Sequence, residues 1–262
     1  MNILEIKKAK SDQRKISMVT CYDNWSAKLL NETSIDILLV GDSSAMVMHG
    51  FDDTIPSTIE SIAVHTAAVR RGAPKKFIVA DMPFLTFRGD LNENLRNVKQ
   101  LMQAGAHAVK LEGFDGNREF VKHLTESGIP VMGHLGLTPQ FVNAFGGFKV
   151  QGREKERKAK IMAEARGLQE AGAFAVVLEC VPGDLAAEIT SSLKIPTIGI
   201  GAGPQCDGQV LVLHDMLGLS SSFKPKFLRQ YLNGGELIKE AIEKYHNDVT
   251  HGRFPGPEET YE

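Results

Sequence analysis

Four apolar, strand-like runs in this sequence each lead to a carboxylate. Residues 35–40 run up to Asp42, 77–80 to Asp81, 107–111 to Glu112 and 175–178 to Glu179. Lys110 stands two residues before Glu112, so in a strand both side chains face the same way. Acids brought together repel one another unless a cation sits among them. Such a set can hold a divalent metal, polarise a carbonyl and accept a proton. Glu179 suits the last task, because its apolar strand mates disfavour its charge. His134, in Gly133-His134-Leu135-Gly136, is a candidate substrate contact, with a hydrogen-bonded core histidine as the alternative. Asp42 and Ser43 could instead be a helix N-cap. That reading leaves the matching acids on three other strands unexplained.

The elements needed to assemble these groups follow from the hydrophobic pattern. Eight strands are expected, near 17–21, 35–41, 77–81, 107–112, 130–134, 174–179, 196–200 and 209–213. Each is a nearly continuous apolar run, as in strands covered on both faces. Helix-like segments separate them, among them 57–71, 91–104, 117–127 and 154–171, and three reach a glycine suited to a left-handed C-cap (Gly105, Gly128, Gly172). Alternating βα units of this number and size predict one (β/α)₈ barrel, with the strand C-termini meeting at one rim. An open dinucleotide-binding sheet would place GxGxxG after the first strand, and none is there. The glycines of 199–203 follow the seventh strand, a common anion-binding position in barrels. The loop 138–153 is expected to act as a lid or binding wall. Further helix is expected at 227–231 and 236–245, with 1–16 a helical extension and 251–262 a mobile tail of a single domain.

Composition narrows the function classes. The 262 residues are 42% hydrophobic and 24% charged, with a net charge of −2, and the pI is about 6.5. Nothing there favours nucleic acid or anionic lipid. No apolar run approaches the roughly 20 residues of a membrane span, and the N-terminus lacks a signal peptide's apolar core. Cys21, Cys180 and Cys206 have no paired spacing and read as reduced thiols of a cytoplasmic protein. Cys180 should point away from Glu179 and serve packing.

The segments VGDSSAMVMHG, HTAAVRRGAP, DMPF, AGAHAVKLEG, GHLGLTPQ, FGGFKVQGR, LECVP and IPTIGIGAGPQCDGQVLVLHDMLG run in order over about residues 17–228. Together they closely resemble the ketopantoate hydroxymethyltransferase family of pantothenate biosynthesis. The resemblance implies a barrel of the phosphoenolpyruvate mutase/isocitrate lyase type in a homo-oligomer, often a decamer. It implies that Asp42, Asp81 and Glu112 hold Mg²⁺, directly or through water. Ser43 and Lys110 would bind the 2-oxo acid that Asp42, Asp81 and His134 also border, and Glu179 would be the general base. The implied reaction transfers a hydroxymethyl group from 5,10-methylenetetrahydrofolate to 3-methyl-2-oxobutanoate through a Mg-stabilised enolate. Two alternatives are a carbon–carbon lyase on the same barrel and a barrel that binds a 2-oxo acid without turnover. Lyases of that type carry a cysteine in the phrase KKCGH, which this sequence lacks.

Overall fold

The computed structural model describes residues 2–219 and 225–261. They divide into two compact units, Met1–Val212 and Leu213–Glu262.

The first unit begins with helix α1 (Ile3–Ser11), whose Asn2 cap accepts from the Leu4 and Glu5 amides. Eight strands follow: β1 (Ile16–Thr20), β2 (Ile37–Val40), β3 (Phe77–Asp81), β4 (Ala108–Glu112), β5 (Val131–Gly136), β6 (Ala175–Glu179), β7 (Thr197–Ile200) and β8 (Gly208–Leu211). They form a closed barrel in sequence order. Every pairing is parallel, and β1 closes on β8 through Ile16↔Gly208 and Met18↔Val210. The connections carry α2 (Asn24–Asn31), α3 (Ser44–Val47), α4 (Ile59–Gly72), α5 (Leu91–Ala104), α6 (Arg118–Glu126), α7 (Val142–Phe145), α8 (Lys155–Glu170) and α9 (Gly183–Ser192). The strands expected from the apolar runs are all present, with ends displaced by a residue or two, the usual uncertainty of such boundaries. The three C-cap glycines adopt positive φ, +111° at Gly105, +81° at Gly128 and +93° at Gly172.

Strand periodicity fills the barrel. Ile16 and Met18, Ile37 and Leu39, Phe77 and Val79, Ala108, Met132, Ala175 and Val177, Ile198 and Val210 belong to one buried cluster. They are alternate residues of successive strands, as the period of two requires. Ile6 and Ala9 of α1 join that cluster, so the first helix seals the floor of the barrel. Lys10 fixes it there with an ion pair to Asp207 at 2.7 Å. Continuing the same alternation toward the strand C-termini brings Asp81, Lys110, Glu112, His134 and Glu179 into the inward-facing set. The packed interior therefore ends in a polar rim.

The 138–153 loop is more ordered than its lack of periodicity suggested. It holds a 3₁₀ turn, Pro139–Phe141, and the single helical turn α7. Phe141 and Phe145 stack with centroids 6.1 Å apart, and the Arg88 guanidinium lies over Phe141.

The second unit contains the one-turn α10 (Leu213–Met216) and the longer α11 (Gly234–Thr250). The helix expected at 227–231 is absent. Only a single turn forms, closed by the Leu228 amide donating to the Pro225 carbonyl, because so short a segment cannot offset the cost of nucleating a helix. Tyr245 of α11 meets Phe254 edge-on at 5.6 Å, and a 3₁₀ turn spans Pro257–Glu259.

Candidate active site

Barrel register puts the candidate residues side by side. Asp81 is level with Lys110, Glu112 with His134, and Gly136 with Glu179. Glycine is required at the last of these positions. Gly136 has φ +95°, and a Cβ there would sit 2.3 Å from the Glu179 carbonyl oxygen. That close approach lets the Leu137 amide donate to the same carbonyl at 2.8 Å and holds the β6 end against β5.

The buried cluster begins at Asp42, just past β2. Its amide donates to Asp81 Oδ2 at 3.0 Å, and its own Oδ2 accepts from the Gln140 side-chain amide at 2.7 Å. Ser43 makes no side-chain cap bond to α3, so the N-cap reading does not account for this pair. Instead Ser43 Oγ lies 2.8 Å from the Tyr22 hydroxyl. Asp81 Oδ1 pairs with Lys110 Nζ at 2.9 Å. Lys110 Nζ also lies 3.2 Å from His134 Nδ1. His134 then spans two acids, with Nδ1 3.3 Å from Glu112 Oε1 and Nε2 3.1 Å from Glu179 Oε2. Asp42, Asp81, Lys110, Glu112 and His134 are all buried, while Glu179 keeps 17% of its side chain open to solvent. All seven residues singled out from the sequence therefore lie at this rim. His49 and His65 pair with each other at 3.1 Å, and His65 Nδ1 lies 2.6 Å from the Tyr22 carbonyl oxygen.

Gln140 and Tyr22 are the members that sequence reasoning passed over. Gln140 stands in the quoted stretch GHLGLTPQ, but an uncharged amide in a loop carries no charge signal. Its backbone amide donates to Glu112 Oε2 at 3.0 Å, and its side chain also donates to the Met82 carbonyl at 2.9 Å.

The electrostatics show an excess of negative charge. Burial, then the charges of Asp81 and Glu112, push the Asp42 carboxyl well above the usual carboxylate range, against Lys110 and the Gln140 hydrogen bond. Burial works to discharge Lys110, yet the surrounding acids outweigh it and hold the ammonium charged. Among the described residues no three His, Cys, Asp or Glu side chains form a ready metal cluster. Lys110 and Gln140 bond to the acids instead. The donors nevertheless suit a hard divalent cation: three buried carboxylates with one lysine leave a surplus charge that such an ion would relieve. Cys180 is no competing nucleophile, since burial and the Glu179 charge push its thiol up to about 12.

His134 gives the metal-free site a pH dependence. Burial and Lys110 oppose its charge, but the close carboxylates of Glu112 and Glu179 win and raise it from 6.5 to about 9. A raised folded-state pKa adds stability in full below about 6.5, and this fades as pH climbs through 9, by on the order of 3 kcal/mol. Denaturant unfolding in EDTA between pH 6 and 9.5 should show that loss, and His134→Gln should flatten it. Equal slopes in the two proteins would remove His134 as its source.

A closed parallel barrel with acid, lysine and histidine groups converging at its C-terminal rim defines a (β/α)₈-barrel enzyme. A family model, ketopantoate hydroxymethyltransferase, matches residues 1–257. The chain belongs to the ketopantoate hydroxymethyltransferase family and is a one-carbon transferase. Proteins named 3-methyl-2-oxobutanoate hydroxymethyltransferase are similar throughout. The one from Bdellovibrio bacteriovorus is 56% identical over 259 residues, 99% of this chain and 98% of the relative. That from Coxiella burnetii is 55% identical over 256 residues, 97% and 96% of the two chains. Among solved structures, phosphonopyruvate hydrolase in complex with oxalate and Mg²⁺ superposes with a TM-score of 0.63 at 14% identity, over 99% of this chain and 93% of that one. A 2,3-dimethylmalate lyase of the phosphoenolpyruvate mutase/isocitrate lyase superfamily gives 0.63 at 17%, over 99% and 91%. At those identities the likeness is one of fold.

Proposed function

We propose that the enzyme transfers a hydroxymethyl group from 5,10-methylenetetrahydrofolate to 3-methyl-2-oxobutanoate, giving 2-dehydropantoate and tetrahydrofolate. The supporting observation is the Glu179–His134 contact at 3.1 Å, set beside the buried acids and Lys110. Lys110 and Ser43 bind the oxo-acid carboxylate and carbonyl, with Asp42 and Asp81 bordering the same position. Asp42, Asp81 and Glu112 would hold Mg²⁺, which when bound supplies Lewis-acid polarisation of the substrate's keto group. Glu179, the partly open member of the set, takes the C3 proton. His134 orients that carboxylate through their 3.1 Å contact. The carbanion equivalent at C3 then bonds to the one-carbon unit, whose bonds to the folate nitrogens break; one water supplies the hydroxyl oxygen of 2-dehydropantoate, and tetrahydrofolate leaves.

The same reading makes the protein a cytoplasmic homo-oligomer, a decamer by family resemblance. Trp25 and Leu29 on α2 and Val64 on α4 are 63%, 63% and 69% exposed, the apolar surface an interface would cover. Among the described residues no helix is long and apolar enough to cross a membrane.

The test is proton NMR of 3-methyl-2-oxobutanoate in D₂O with the protein, with and without Mg²⁺. The C3 signal should vanish only when metal is present. A signal that persists even after tetrahydrofolate is added would refute the proposed chemistry.

A further inference from the structure

Gln140 is the uncharged residue most deeply engaged with the acids, at 3% exposure. It reaches them from a loop rather than a strand. In the 3₁₀ turn Pro139–Phe141 the proline has no N–H, so Gln140 carries the first free backbone donor of the turn. That donor goes to Glu112 Oε2, while the side-chain amide divides its two hydrogens between Asp42 Oδ2 and the Met82 carbonyl. One residue thus ties together the ends of β2, β3 and β4. On each of two carboxylates it occupies one oxygen and fixes the rotation of the other. A neutral donor suits this place, because it holds anions without displacing a cation from them.

We infer that Gln140 is a positioning residue for the cation site. Its seating on Asp42 and Glu112 sets the donor geometry, and through it the loop 138–153 is coupled to metal and substrate binding. The inference rests on the function proposed above. Outer-shell partners of metal ligands typically affect affinity or activity by 10–100-fold.

The experiment is Mn²⁺ binding, followed by electron paramagnetic resonance and calorimetry without turnover, on wild type, Gln140→Leu and Gln140→Asn. Leucine keeps the bulk and the backbone donor but removes the amide. Asparagine keeps the amide on a shorter stem. Mn²⁺ affinity should fall about 10–100-fold in Gln140→Leu and less in Gln140→Asn, with KM for the oxo acid rising in the same order. Circular dichroism in EDTA checks folding, and should the leucine variant not fold, the asparagine variant alone decides. Affinity within twofold of wild type in the folded variants overturns the inference. Wild type that binds no Mn²⁺ overturns the cation site itself, and this role with it.

Discussion

Glu179→Gln is expected to slow C3 proton exchange by about 10²–10⁴, the range a positioned base contributes. Metal-dependent binding of the oxo acid should stay near that of wild type. The separation follows from where the side chain sits. Glu179 ends β6 and touches the acid cluster only through His134 Nε2, at 3.1 Å, so the amide alters proton transfer without vacating a metal-facing oxygen. Glutamine still offers an oxygen to His134, which keeps the imidazole in place. Calorimetry of Mg²⁺-dependent oxo-acid binding and the NMR exchange assay give the two readouts. Exchange at the wild-type rate would assign the proton to another group. Loss of binding together with exchange would place Glu179 among the ligands.

The second large effect is expected at Lys110. Its ammonium sits 2.9 Å from Asp81, both side chains at most 4% exposed, and faces Glu112 and Asp42 as well. Lys110→Met leaves those acids buried without their cation, and breaking such a pair costs about 3–5 kcal/mol. Urea unfolding of the metal-free variant at pH 7 should show it. Added Mg²⁺ should restore part of the loss, because a divalent ion supplies the missing positive charge to the same acids. A variant as stable as wild type in EDTA would mean that the acids protonate at little cost. Absence of any Mg²⁺ effect would speak against a cation among them. Oxo-acid binding should weaken in either case, since the proposed function also makes the ammonium the anion's partner.

The barrel was legible because parallel strands buried on both faces leave apolar runs, and the helices between them leave capping signals. The rim acids were legible for a related reason: a charge at the end of an apolar run has few structural explanations. What escaped was whatever depends on closing the barrel. Gln140 lies 98 residues from Asp42 and carries no charge, so only the fold reveals the contact. The pairing of Lys110 with Asp81, in place of its strand neighbour Glu112, depends on β3–β4 register. The segment 227–231 misled because local helix propensity has no tertiary partner to act against in a single sequence. Folate recognition left no local signature.

The order of the rim groups along the chain has a consequence for how the protein could be divided. Asp42, Asp81, Lys110 and Glu112 all precede the connection between α6 and β5, whereas His134, Gln140 and Glu179 all follow it. Cutting there would separate the residues proposed to hold metal from those proposed to handle the proton. Neither half-barrel would hold a working centre, and a mixture of the two would regain one only by rebuilding the β4–β5 and β8–β1 seams. Recovered turnover in such a mixture would therefore report the re-formation of those two seams.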